Sequence, residues 1–326
     1  MGPDDLLLQV LLSPHDEALR SVYVDSLLER GDPRGEHAVL LRQGRLEEAA
    51  ALERVNTERW LTPSLARFVV PGSARFRDGL LEACALQPVS GFEANELAAD
   101  PFWSAVRELR SPPRAVIAQA TSLERLTGVD DVTLGEMVGW QTPLPSLRHL
   151  GLRVAAANIA RDHLLSLHTP ELESLLVIVS TAGENARHRF PTEAEAQCCE
   201  ECARPREPVD SQAFHPSVWD TLSVLRLCHL ELHIGYVHLG RFIAALEQTR
   251  FDLRTLRVRG AEENLVVPKW CLRLERTSPG RYRRLVVETE PDGPDEAIDV
   301  HEVLVTLPAS VELEPARFNR PRWRKR

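Results

Sequence analysis

The pattern Leu-x-x-Leu-x-Leu/Val recurs along the middle of this chain and restricts its architecture more than any other feature. It stands at Leu147-Leu150-Leu152, Leu172-Leu175-Val177, Leu222-Leu225-Leu227 and Leu253-Leu256-Val258. Weaker copies begin at Val106, with Leu109, and at Leu123, with Leu126. Starts at 106, 123, 147, 172, 222 and 253 lie 17, 24, 25, 50 and 31 residues apart. Side chains alternate faces along a strand, so the fourth and sixth positions of each unit share one apolar face. A single short strand and its return segment cannot bury that face. Stacked units can, by pairing their strands into a parallel sheet over one continuous core. The return segments carry apolar residues at helical spacing, as in Ile159, Leu164, Leu165 and Leu167, and again in Leu239, Phe242, Ile243 and Leu246. The 50-residue gap has a polar middle, so it reads as one repeat plus a loop insertion at about 181–216.

The 24- and 25-residue spacings resemble those of leucine-rich repeats. The Asn that usually follows the strand is missing, with Ala155, Ser180, Leu230 and Ala261 in its place. The array is therefore expected to be irregular.

Upstream, the spacing predicts helices over 4–12, 15–30 and 34–56, with Gly31-Asp32-Pro33 as a stop and Gly44 as a break or bend. Residues 16–43 carry Arg20, Tyr23, Asp25, Glu29, Gly31, Asp32, Pro33, Gly35, Glu36 and Gln43 in order, followed by Trp60-Leu61 and Phe76-Arg77-Asp78-Gly79. This stretch resembles the bacterial repeat-companion domain over about 1–85. Val24, Ser26 and Arg42 depart from that pattern. The resemblance implies leucine-rich-type repeats downstream and brings no established activity. Glu29, Asp32 and Glu36 could form an acidic site. Capping is the simpler reading, because Asp32 precedes Pro33 and Glu36 falls in the first turn of a helix.

Beyond Gly260, Trp270–Leu274 alternates, Ser278-Pro279-Gly280 is a turn, and Tyr282–Val287 is strand-like again, which predicts a hairpin. A short helix over 295–307 and a strand at 310–313 follow. The expected fold is α/β: a helical N-terminal domain over 1–90, an irregular repeat solenoid with a parallel sheet over 91–262, and a β-rich cap with a basic tail over 263–326. A cap is expected because the open end of a repeat sheet needs cover.

Composition narrows the function classes. The 326 residues have 43% hydrophobic and 27% charged content, so a packed core is within reach and wholesale disorder is not expected. A net charge of -9 argues against a generic nucleic-acid binder. No run of 18 apolar residues is present, and the start, MGPDDLLLQVLL, is acidic where a secretory signal is basic. With cysteines that need not pair, this points to a reduced, cytoplasmic protein without membrane contact. There are 37 Arg against Lys269 and Lys325 alone, a bias that fits a GC-rich bacterial genome. Nearly every positive charge is thus a planar fork suited to carboxylates or phosphates.

With the leucines inward, the third, fifth and seventh positions of each unit face outward. That row includes Arg110, Arg125, His149, Arg153, Arg226, Arg257 and Arg259, together with Pro112, Val129 and Cys228, and a single acid, Glu108. Six Arg against one acid make this concave face the expected binding surface for an acidic protein partner. Cys198, Cys199 and Cys202 with His188 resemble half a zinc site. The absence of a second Cys-x-x-Cys favours a plain polar loop, so no metal and no cofactor is expected. His229, His233 and His238 read as packing or exposed residues. No phosphate loop, nucleophile elbow or His-Glu-x-x-His occurs, so an enzyme is not expected. The sequence therefore suggests a non-catalytic interaction scaffold. The alternatives are a nucleic-acid-associated protein using the Arg face and the basic tail 317–326, and a metal- or redox-responsive protein using the cysteine loop.

Overall fold

In a computed structural model the protein is a mixed α/β chain whose strands form a mostly parallel sheet. The structure describes residues 3–139, 143–154, 167, 169–179, 225, 227–234, 253–260, 270–278, 281–282 and 286–289. The chain divides into two units, one holding Met1–Leu152 and Ser166–Leu172, the other Arg153–Leu165 and Glu173–Arg326.

The first unit opens with α1 (Pro3–Leu12), α2 (Glu17–Glu29), α3 (Pro33–Arg42), α4 (Leu46–Trp60) and α5 (Pro63–Phe68). The single helix expected over 34–56 is two helices. The break falls at Gly44, where Arg45 N–H turns back to Leu40 O at 3.0 Å. Asp32 is the N-cap of α3, accepting from Arg34 N–H at 3.0 Å, and Pro33 opens the helix without needing a donor. Helices α2 and α3 approach closely at Gly35, where a Cβ would stand 2.8 Å from Leu28 N.

A two-residue hairpin joins β1 (Arg75–Arg77) to β2 (Leu80–Ala85). Asp78 at φ 51° and Gly79 at φ 78° give the backbone that matches the twist of the flanking strands. A Cβ on Gly79 would stand 2.5 Å from Leu27 Cδ1, so this turn seats directly on α2. Beneath the hairpin, Trp60 meets Phe76 edge-on at 5.1 Å and His37 at 5.3 Å between centroids. Glu53 of α4 accepts the backbone N–H of Phe76 at 3.1 Å and closes a donor of the edge strand β1.

Next come α6 (Gly91–Ala98), with a Ser90/Glu93 capping box, a 3-10 turn at Pro101–Ala105, β3 (Glu108–Arg110), α7 (Arg114–Ile117), β4 (Arg125–Asp130), α8 (Asp131–Gly139) and β5 (His149–Val154). Strands β2, β3 and β4 pair in parallel, and β5 follows β4, with Arg148 and His149 N–H bonding Glu124 O. Val106, Leu123, Leu147, Leu109, Leu126 and Leu150 are all buried beneath this ladder.

In the second unit β6 (Ser174–Val179), β7 (His229–Ile234) and β8 (Thr255–Gly260) pair in parallel. The long β9 (Trp270–Ser278) then runs antiparallel to β8. Both β10 (Arg281–Tyr282) and β11 (Val286–Thr289) pair antiparallel with β9. The expected helix over 295–307, the strand at 310–313 and the tail lie outside the described residues.

Candidate interaction face

The register of β7 corrects one repeat. The strand is 229–234, with Leu230 and Leu232 buried, so the unit is Leu227-Leu230-Leu232 and not Leu222-Leu225-Leu227. Both readings satisfy the same apolar spacing and share Leu227. Backbone bonding decides between them, because Cys228 and His229 N–H both reach Glu173 O. The next start, Leu253, is then 26 residues on, close to the regular spacing. On this strand the face carries His229, Glu231 and His233, in register with Thr255, Arg257 and Arg259 of β8. Cys228 accordingly leaves the outward row. Arg226 precedes the strand and lies outside the described residues. His229 Nδ1 lies 2.6 Å from Thr255 Oγ1, which ties these two strands together by their side chains.

A second correction concerns the seventh position of the first two units. Pro112 and Val129, expected outward, are buried. Their sixth positions are Ser111 and Gly128, which offer the core nothing apolar. Both adopt positive φ, 53° and 69°, and this turns the next residue inward. Where the sixth position is Leu152 or Val177, it is itself buried and no such turn occurs.

The charges of the first unit's strands largely neutralise one another. Arg125 Nε lies 3.4 Å from Glu108 Oε1, its neighbour in register on β3. Just ahead of β3 and β4, Arg107 pairs with Glu124 at 3.3 Å, and across the hairpin Arg77 of β1 pairs with Glu82 of β2 at 3.2 Å. These exposed pairs are each worth about 0–1 kcal/mol, so they shape the surface potential more than stability. Arg110 and Arg153 are exposed, and His149 is half-buried. The fifth-position row is small there. Gly151 is pressed against Thr127, where a Cβ would stand 3.1 Å from Cγ2.

The motif residues near the N-terminus gather around Asp78. Its carboxylate accepts Arg42 Nη2 at 3.0 Å and faces Arg20 Nη2 at 3.2 Å. Arg20 is buried, and burial pulls its guanidinium below the ordinary value although Asp78 opposes this. Burial also raises the Asp32 carboxyl. The hydrogen bonds from Arg34 outweigh it and hold that group below its ordinary value. Glu29 and Glu36 join neither cluster. These contacts account for Arg20 and Asp78 as a clasp between α2 and the hairpin, and for Asp32 as the cap of α3.

Cys84 is buried, and that burial pushes its thiol up to about 12, which removes it as a nucleophile. Among the described residues no group of three His, Cys, Asp or Glu could hold a metal, and no helix is long and apolar enough to cross a membrane. His188, Cys198, Cys199 and Cys202 lie outside the described residues. Sequence reasoning passed over the strand role of His229 and His233, and over Arg273 of β9, which stands opposite Arg257. Reading Leu227-Leu230-Leu232 as the repeat would have found the two histidines.

No protein-family model matches this chain, and no curated protein or solved structure matches it either.

Proposed function

We propose that the chain is a non-catalytic interaction scaffold. In this reading an irregular leucine-rich-repeat-like array, preceded by a helical repeat-companion-like domain, holds an acidic protein partner on its sheet face. The observation that carries the reading is the register. Parallel pairing sets side chains of successive strands in straight rows, with leucines buried on one side and charged residues on the other. Such rows give evenly spaced contacts, which suits an extended partner surface. Exposed Arg110 and Arg153, and Arg257 and Arg259 in register on β8, supply forks for carboxylates. The closure of β1 by Glu53 fits helices that end an array.

Retention on immobilised polyglutamate tests the reading. The full chain should be retained at about 50 mM salt and released at about 300 mM, because exposed pairs are screened. The variant Arg110→Glu/Arg257→Glu/Arg259→Glu should pass through while melting like the parent. Equal retention of parent and variant would overturn the reading. Retention on duplex DNA alone, lost with Arg322→Glu/Arg324→Glu, would favour the tail and a nucleic-acid partner instead.

A further inference from the structure

On the first unit's sheet two arginines are left over once the acids of strands β1 to β4 are accounted for. Glu82 pairs with Arg77, Glu108 with Arg125 and Glu124 with Arg107. Asp130 accepts from Thr133 N–H of α8 at 2.8 Å, and Asp78 of the hairpin is taken by Arg20 and Arg42. Arg75 and Arg110 are exposed and have no ion pair among the described residues. Both belong to the outward face. Arg75 is in register with Ala83, and through it with Glu108 and Arg125, while Arg110 is in register with Ala85 and Thr127. The two arginines are separated by β2 and offset along the strands by one same-face step, so their Cα atoms are roughly 12 Å apart. The floor between them is Ala83 and Ala85 of β2, two half-buried residues with only a methyl group to present.

Two unpaired forks on either side of a methyl floor are complementary to two carboxylates with an apolar group between them. In an extended chain, residues i and i+4 point to one side roughly 13 Å apart, and residue i+2 lies between them on that side. We propose that this part of the face docks an extended acidic segment of a partner protein with the spacing acid-x-apolar-x-acid. Its carboxylates sit on Arg75 and Arg110, each held by a guanidinium fork, and its central side chain lies over Ala83 and Ala85. The proposal rests on the reading of the sheet face as the binding surface. It names the segment that surface takes, and it adds Arg75, which stands ahead of the first repeat.

Calorimetric titration of the full chain at about 50 mM salt, where exposed pairs are little screened, tests it with three end-capped peptides. The first is Ser-Glu-Thr-Val-Thr-Glu-Ser, the second has both Glu replaced by Gln, and the third is the isomer Ser-Glu-Glu-Val-Thr-Thr-Ser with its acids adjacent. The first should bind, and the second should bind about ten-fold more weakly for the loss of two exposed charge pairs. The third should be about three-fold weaker than the first, because its acids reach only one arginine at a time. Arg75→Gln and Arg110→Gln should each weaken the first peptide about three-fold while melting like the parent, and Arg59→Gln on α4 should not. Either of the two carries the test should the other fail to fold. Equal binding of the first and third peptides would overturn the spacing, and unchanged binding by Arg75→Gln and Arg110→Gln would overturn the site. Tighter binding of a short single-stranded oligonucleotide than of the first peptide would overturn the choice of partner. If no peptide binds, the proposal is overturned, and retention on polyglutamate then shows that the wider acidic-partner reading still stands.

Discussion

Ser111 and Gly128 lie side by side just where β3 ends and within β4, both in the left-handed backbone region, with Ser111 N–H bonded to Thr127 O at 2.7 Å. A Cβ on Gly128 would run into the Ser111 hydroxyl. The two residues thus close one device shared between neighbouring repeats. It turns Pro112 and Val129 into the core at the level where later repeats use Leu152 or Val177.

Gly128→Ala should therefore destabilise the first unit by more than ~1 kcal/mol, the reverse of the gain from a compatible Gly-to-Ala change, since it meets both a positive φ and a steric clash. Ser111→Gly should be neutral or stabilising by up to about 1 kcal/mol, because it removes left-handed strain from a residue with a Cβ. Denaturant unfolding of both variants checks the pair. A tolerated Gly128→Ala would show that the strands do not need this backbone.

Asp78→Ala should cost about 3 kcal/mol. It leaves the buried Arg20 guanidinium without its partner and removes a residue that tolerates the turn's left-handed backbone. Asp78→Asn should be milder on the turn but should still lose the charge. Arg42→Ala should cost under ~1 kcal/mol, since that side chain is half exposed. Urea midpoints of the three variants would rank them.

The Asp32 carboxyl, held below its ordinary value, gives an acid-side prediction. A depressed folded value means that the folded state binds fewer protons than the unfolded one in the window between the two values. Its stabilisation is full above the unfolded value, near pH 4, and is lost as pH falls through the folded value. Asp32→Asn should flatten the fall in stability below pH 4 and keep much of the cap, whereas Asp32→Ala should cost about 1 kcal/mol at neutral pH. Melting curves from pH 2 to 7, as a range of about five units, would show either slope.

The β7 register predicts that Leu230→Asp unfolds the second unit, by placing an unpaired charge in its core, while Leu225→Asp does so to a lesser degree because Leu225 is only half-buried. Circular dichroism and limited proteolysis would separate the two. The opposite ranking would restore the Leu222-Leu225-Leu227 reading.

Cys84 should resist thiol reagents in the folded protein and react only on unfolding, because its burial disfavours the thiolate. Rapid reaction of this residue under native conditions would show that β2 opens readily.

The apolar spacing by itself determined that Leu109, Leu126, Leu150 and Leu175 would face a core, since a strand admits only two faces and leucine strongly prefers one of them. The turn residues determined the stop at Gly31-Asp32-Pro33, because capping and a proline nitrogen act within a few residues. Other features depended on neighbours that the sequence does not bring together. Leu225 and Leu230 satisfy the same spacing, and only the bonds from Cys228 and His229 to Glu173 fix which one is used. Arg125 counts as a free positive charge in a list of outward residues, and becomes half of a pair once β3 sets Glu108 beside it. Arg273 gained its place opposite Arg257 from antiparallel pairing across the β8–β9 connection. Burial preference is carried by one residue and its immediate neighbours and is readable from order alone. Register and charge pairing are properties of two strands at once, so they are decided only when the strands meet.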